Sequence, residues 1–437
     1  MARAEQHSTI PHAPDRPAPD ATPNRWRVIV GAGVGNALEW YDWTVYAIFA
    51  PFFASQFFHE DNPASALLST LAVFAVGFLM RPLGGLFFGW LADRRGRRSA
   101  MVTAMIITAV GSLLIGVSPT YPAVGVLASV LLVLARLGQG FGLGGEIGGS
   151  HVYLAEMAPR RRRGLWCSSM YIAITCGVLA ATLLAAVLTT ALGKQAMTAW
   201  GWRLPFLLGA VLGFYAIFLR RGLQETDAYV KDKQDTARTS VLRGVWSNRR
   251  AAWKVVGLTI GGTVAYYTWS VSATSYAINA KGIDAQQALW AGVAANLVFI
   301  AALPLWGALS DRWGRKPNLF LFPIALGALT FPLTGLIQDS AWQLAVSMSV
   351  ALFVLGSVTS IAPAFNAELF PTRVRATGFA FPYSLAVAVF GGTAPYLQTF
   401  LASHGLGYLF TLYSIALLAI SFLTAFTVKE TKGIELE

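Results

Sequence analysis

The sequence predicts an all-α membrane protein of about twelve transmembrane helices arranged as two pseudo-symmetric six-helix bundles. Three observations predict it. First, 55% of the 437 residues are apolar and only 12% are charged, a balance that soluble chains rarely show. Second, apolar runs of roughly 20 residues recur along the chain, each long enough to cross ~30 Å of hydrocarbon. Third, the two halves repeat one another. Gly89-Trp-Leu-Ala-Asp-Arg-Arg-Gly-Arg-Arg98 returns 218 residues later as Gly307-Ala-Leu-Ser-Asp-Arg-Trp-Gly-Arg-Lys316, each copy following the second span of its half. Glu156-x-x-Pro159-x-Arg161-x-Arg163 returns as Glu368-x-x-Pro371-x-Arg373-x-Arg375, following the fourth. Parallel repeats of this kind are one plan of secondary transporters, with the binding site between the halves near the bilayer midplane.

Taken in order, residues 1–25 carry five prolines between Pro11 and Pro23 among polar residues and read as a disordered tail rather than a signal peptide. The first bundle, 26–220, contains apolar spans at Arg27–Ala54, Ala64–Leu91, Ala100–Val117, Ala123–Ser150, Gly164–Leu192 and Leu204–Leu219. A polar stretch over 221–253 reads as a linker. The second bundle, 254–428, contains Val255–Ala280, Gln286–Leu309, Asn318–Ile337, Ala341–Asn366, Thr377–Leu401 and Tyr408–Val428, and 429–437 forms a short tail.

The net charge of +12 raises the question of a nucleic-acid partner, and its distribution answers it. An even number of spans places both termini on one side. The loops and tails of that side hold 28 of the 33 Lys and Arg, against three (Lys194, Arg203, Lys281) on the other and two (Arg81, Arg136) inside spans. By the positive-inside rule both termini are expected in the cytoplasm, in a multi-pass protein of the inner or plasma membrane. Arg160–Arg163 then reads as a topological signal, not a nucleic-acid patch. Cys167 and Cys176 match no metal-ligand spacing and read as packing residues. No metal or cofactor is expected.

Charge inside hydrocarbon costs ~3 kcal/mol or more per group and needs a reason. At 1.5 Å rise per residue, Glu39 and Asp42 lie ~18 and ~22 Å into the first span, Arg81 ~18 Å into the second and Arg136 ~20 Å into the fourth, so all four meet near mid-membrane. Glu39 and Asp42 share a helix face. They read either as carriers of a coupling proton with Arg81 and Arg136 facing an anion, or as structural ion pairs. Arginine suits the first role, because its fork offers bidentate bonds to carboxylate and stays charged. The second half buries no deep charge, but Tyr266, Tyr267, Trp269, Asn296, Asn366 and Tyr383, with Tyr41 in the first half, offer hydrogen bonds and aromatic faces to a substrate or to packing. Glu146 reads either as a site residue or as a gate partner of the basic loops.

Gly140-Phe-Gly-Leu-Gly-Gly145 fits the dinucleotide fingerprint by letter, but no strand precedes it. Gly138, Gly140, Gly142, Gly144, Gly145, Gly148 and Gly149 instead suggest a small-residue face for close helix packing. No HExxH, GxSxG or His–Cys set suggests an enzyme, and no sizeable soluble domain suggests a sensor.

The duplicated G-x-x-x-D-R-x-G-R-[RK] loop resembles the signature of the major facilitator superfamily. Within it, Gly35-Asn-Ala-Leu-Glu-Trp-Tyr-Asp-Trp43, Gly77-Phe-Leu-Met-Arg-Pro-Leu-Gly-Gly85, Arg136-Leu-Gly-Gln-Gly140, Gly144-Gly-Glu146 and Gly201-Trp-Arg-Leu-Pro-Phe206 resemble the metabolite:proton symporter family from Trp26 to Val428. That resemblance implies a monomeric, proton-coupled symporter working by alternating access. The substrate it implies is a small organic acid such as 2-oxoglutarate, or alternatively a zwitterion of the proline/betaine type. It also implies gating by Gly89, Asp93 and Arg97 in one loop and by Asp311 and Arg315 in the other. Glu156, Glu368 and Arg373 of the second echo join the gate. The Asp–Arg pairs would latch the outward-facing form.

Overall fold

The computed structural model describes residues 25–59, 63–95, 97–144, 151, 154–220, 248–370 and 375–436. Residues 1–24 of the tail read over 1–25, most of the linker read over 221–253, Gly145, Glu146, Gly148, Gly149 and Arg373 lie outside them, as do the side chains of Asp93 and Arg97.

Each apolar run becomes a helix. The first half comprises α1 (Arg25–Phe57), α2 (Pro63–Arg95), α3 (Arg97–Val117), α4 (Tyr121–Val124 and Val126–Leu143), α5 (Arg163–Ala196) and α6 (Arg203–Arg220). The second comprises α7 (Arg249–Tyr266 and Ala273–Ala280), α8 (Ala285–Trp313), α9 (Lys316–Leu336), α10 (Ala341–Thr359 and Ala362–Glu368), α11 (Arg375–Ala386 and Ala394–Ser403) and α12 (Gly407–Phe426). Among the described residues nine helices are long and apolar enough by themselves to cross a membrane. The other three crossings have visible causes. Glu39 and Asp42 lower the hydropathy of α1, α6 is short over Arg203–Phe218, and α7 is rich in Gly, Thr, Tyr and Ser between Thr259 and Ser275, around a π turn at Tyr267–Ser272. A second π turn, Val387–Gly391, interrupts α11 at the matching place in the repeat. Such turns free backbone groups inside a helix, and here the Ser272 hydroxyl accepts the task by donating to Tyr267 O at 2.9 Å.

The packing has the symmetry of the repeat. α1 packs on α5 as α7 packs on α11, α2 on α4 as α8 on α10, and α3 on α6 as α9 on α12. The halves meet through α5 against α8 and α2 against α11. With no hydrophobic drive between helices in lipid, close approach must come from small residues. It does so here. A Cβ at Gly140 would collide with Gly77 O, one at Gly144 with Arg81 O, and one at Gly164 would stand 2.7 Å from Gly307 O across the two halves. Gly140, Gly142 and Gly144 therefore form the expected packing face, whereas Gly138 makes only ordinary contact. Gly89 differs from its repeat partner Gly307, because no atom lies within 4 Å of a Cβ built there.

The start of α1 and the end of α12 lie at one end of the bundle, the terminal face, where the last described residues bind the loop between α8 and α9: Glu430 accepts from Arg315 N at 2.8 Å. The opposite face is closed between the halves by Ser275 Oγ donating to Ala47 O at 3.1 Å.

Candidate functional site

Helix α1 faces two cavities and distributes its polar residues between them. The central cavity lies between the halves and is lined by Asn36, Glu39 and Trp40 of α1, Arg81 of α2, His151, Tyr171 of α5, Tyr266 and Tyr267 of α7, Asn366 of α10 and Tyr383 of α11. Its walls are tied by aromatic contacts across the halves: Trp40 meets Tyr266 edge-on at 5.3 Å and Phe78 meets Tyr267 at 5.2 Å. Tyr171 Oη stands 3.5 Å from Tyr383 Oη.

Arg81 is 2% exposed. Its guanidinium carbon sits 4.1 Å from the Phe78 ring centroid and 4.4 Å from that of Trp43, and neither its Nε nor its Nη2 has a hydrogen-bond partner. The ring faces offset part of the burial cost, but two donors of a permanent cation remain unmatched beside a cavity. That arrangement suits an incoming carboxylate.

Asp42 faces the other way, into the first bundle. Its carboxylate accepts from the Ser112 hydroxyl in a short bond and from Gln139 Nε2 at 2.9 Å. Gln139 Nε2 also lies 2.7 Å from Ser112 Oγ, and Gln139 Oε1 accepts from Arg136 Nη1 at 2.8 Å. The amide thus stands between the acid and the base. Arg136, fully buried, rests on the rings of Trp43 and Tyr46 at 3.9 and 4.2 Å and lines neither cavity. The four charges expected to converge therefore do so in two steps: Glu39 and Arg81 at the central cavity, Asp42 and Arg136 one layer behind it.

The remaining predicted residues divide similarly. Tyr266, Tyr267, Asn366 and Tyr383 line the central cavity. Tyr41 instead donates to Pro205 O at 3.0 Å inside the first bundle. Asn296 accepts from Ser270 at 3.3 Å within the second, and Trp269 lines a pocket toward the face opposite the termini.

At the terminal face the second-half gate residues form one cluster. Asp311 binds Arg315 Nη1 at 2.9 Å and accepts from the backbone N–H groups of Gly164 and Leu165, at 2.8 and 2.9 Å. It therefore caps the N-terminus of α5, a helix of the other half. Glu368 binds Arg163 Nη1 at 2.8 Å, faces Arg315 Nε at 3.6 Å and accepts from Thr431 Oγ1 at 2.6 Å. Glu156 is exposed. The chain's last residues strap this cluster. Arg163 donates to Ile434 O at 3.0 Å, Arg160 binds Gly433 O and Glu435, and Glu430 takes the N–H groups of both Arg315 and Lys316. Burial pulls the Glu430 carboxyl upward, but four backbone donors outweigh it and hold the group below the usual carboxylate range.

Ser112, Gln139, Glu430 and Thr431 were not singled out by sequence, and Arg163 was read there only as part of the Glu156 echo and as a topological charge. Gln139 had a readable signal, lying three residues from Arg136 on one helix face.

A family model described as Major Facilitator Superfamily matches residues 32–381 and 258–435. The chain belongs to that superfamily. Alpha-ketoglutarate permease of Escherichia coli (strain K12) is 38% identical over 95% of this chain and 96% of its own length. A citrate-proton symporter of Klebsiella pneumoniae is 33% identical over 90% of this chain and 89% of its own, and proline/betaine transporters match over a similar span. The fold matches the xylose transporter XylE from E. coli in a partially occluded inward open conformation, with a TM-score of 0.70 and 17% identity over 94% of this chain and 99% of that one. This superfamily member is thus a multi-pass transporter of the cell membrane, with transporters rather than enzymes as its relatives.

Proposed function

We propose that this transporter carries a small dicarboxylate, of which 2-oxoglutarate is the first candidate, together with a proton, and that both termini face the cytoplasm. The observation that carries the reading is Arg81: a buried, permanently charged fork with two unmatched donors lining the cavity between the halves. A carboxylate of the substrate would take those donors, while Asn366, Tyr266, Tyr267 and Tyr383 hold the rest of the molecule. Asp42 takes the coupling proton, because its partners Ser112 and Gln139 are neutral groups that serve either protonation state. Arg136 stands behind it through Gln139 and steadies the charged form. Glu39 joins the two compartments. The relatives support the substrate class, since the permease and the citrate-proton symporter are named for di- and tricarboxylic acids. The bias of 28 basic residues toward the terminal face supports the orientation.

On this reading the cluster of Asp311, Arg315, Glu368 and Arg163 holds the cytoplasmic face shut and parts as the halves rock. Labelled 2-oxoglutarate uptake into proteoliposomes, with and without an inward proton gradient and competed by citrate, shikimate, proline and betaine, tests it. Gradient-dependent uptake blocked by acids alone is expected. Uptake blocked by proline or betaine instead would move the substrate to zwitterions and leave Arg81 a structural cation.

A further inference from the structure

The structure contains a second cavity that ends at Asp42 and shares one lining residue, Glu39, with the central cavity. It lies wholly within the first half, between α1, α3, α4 and α6. Its lining places its mouth. Gly35 lies about three turns from the described start of α1, Met105 two turns into α3 and Ala216 one turn from the described end of α6, and these three helix ends belong to the terminal face. The slot therefore runs from the Asp42 carboxylate at its floor toward that face. There Gly209 leaves the room the carboxylate needs, since a Cβ on Gly209 would stand 2.7 Å from Asp42 Oδ1.

Among the described residues, Glu39 alone lines both this slot and the central cavity. The other groups facing Asp42 are accounted for on every packed helix. α1 contributes Glu39 and Tyr41, α3 contributes Ser112, α4 contributes Gln139 with Arg136 behind it, and α6 contributes Gly209.

We infer that the coupling proton leaves Asp42 through this slot, as hydronium in a file of water, while the substrate leaves through the central cavity between the halves. The inference rests on Asp42 being the proton carrier. The step is a simple transfer: the Asp42 O–H bond breaks, a slot water accepts the proton and passes it to the terminal face, and Ser112 and Gln139 keep their donors on the carboxylate left behind. Glu39 is the point at which the two routes touch, so it reports substrate occupancy to the proton site without the solutes sharing a path. A proton released this way needs no prior opening of the Asp311–Glu368 cluster, whereas the substrate does.

The test is to plug the slot reversibly in a folded protein. Ala216→Cys places a thiol near the mouth. It is modified with a methanethiosulfonate reagent and restored with reductant, and the unsubstituted protein treated alike is the control for native Cys176. Gradient-driven uptake of labelled 2-oxoglutarate and counterflow at equal pH are measured before modification, after it and after reversal. Counterflow requires only the protonated, loaded carrier to shuttle. The inference expects modification to abolish gradient-driven accumulation, reductant to restore it, and counterflow to persist throughout. Accumulation unchanged by the plug would overturn it, and so would equal loss of accumulation and counterflow. A different result, no stimulation by a proton gradient even in the untreated protein, would instead overturn the symport reading itself.

Discussion

Two clusters of buried acid and arginine stand at different depths, and they are wired differently. At the terminal face, Glu368 and Asp311 are held directly by guanidinium groups, at 2.8 Å from Arg163 and 2.9 Å from Arg315. In the membrane interior, Asp42 is held by a hydroxyl and an amide, and its arginine is one residue removed, seated on aromatic rings. The difference in chemistry follows. A carboxylate bonded to charged donors loses much of its binding when it is neutralised, so it serves best as a mechanical latch. A carboxylate bonded to Ser and Gln loses less, because neither partner is charged and the Ser112 oxygen can turn to accept from an O–H. Direct pairing makes a clasp, and spaced pairing makes a proton site.

The sharpest way to break the contrast is to remove the charge at each place. Asp42→Asn should abolish gradient-driven accumulation while leaving substrate counterflow at least partly intact, as read in proteoliposomes with labelled 2-oxoglutarate. Full accumulation in that variant would move the proton to Glu39 and end the distinction drawn here. Glu368→Gln should behave in the opposite sense. Its side chain is fully buried, and taking one member from a buried charge cluster costs about 3 kcal/mol, because Arg163 stays behind without its carboxylate while Arg315 keeps Asp311. The variant should melt at lower temperature and expose the terminal-face side of the central cavity to thiol reagents, while its accumulation still responds to the proton gradient. A variant that melts like the parent would show that the clasp carries no load.

How much of this was legible in the sequence depends on the kind of signal. All twelve spans and the duplicated loops were readable, because hydrocarbon imposes length and apolarity on every crossing. The charged residues were readable for the same reason in reverse, since a charge in a span is conspicuous. Ser112 and Gln139 were not, because neutral polar residues raise no such alarm, yet they decide whether Asp42 and Arg136 form a direct pair. Arg81 and Arg136 looked equivalent in depth, and only packing separates them: one rotates toward the cavity, the other into the cage of Trp43, Tyr46 and Phe74. The π turns in α7 and α11 left no composition signature. The terminal strap escaped notice because it acts through backbone groups of Arg315 and Lys316.

Arg81→Lys sharpens the division between the two arginines. It keeps the charge but removes the planar fork. Losing one charge-assisted bond to a substrate carboxylate costs about 1.4 kcal/mol or more, so the half-saturation concentration for 2-oxoglutarate should rise roughly tenfold. Arg136→Lys, acting through Gln139, should lower gradient-driven accumulation with a smaller change in half-saturation. If the two variants shift affinity equally, Arg136 also reaches the substrate during the cycle.

The smallest effect expected is at Glu430, half-exposed in the strap. Its carboxyl is held below the usual range by backbone donors, so the charged form is the one that binds. A group depressed in this way contributes its stabilisation above the ordinary glutamate value near 4.5 and loses it as the pH falls through the lower folded-state value. A fluorophore placed at Glu435 should therefore report release of the strap from Arg160 and Arg163 only in strong acid in the parent. Glu430→Gln should release it more readily at neutral pH and flatten that acid transition. The same pH profile in both proteins would assign the strap to Thr431, whose hydroxyl binds Glu368 at 2.6 Å and joins the tail to the clasp.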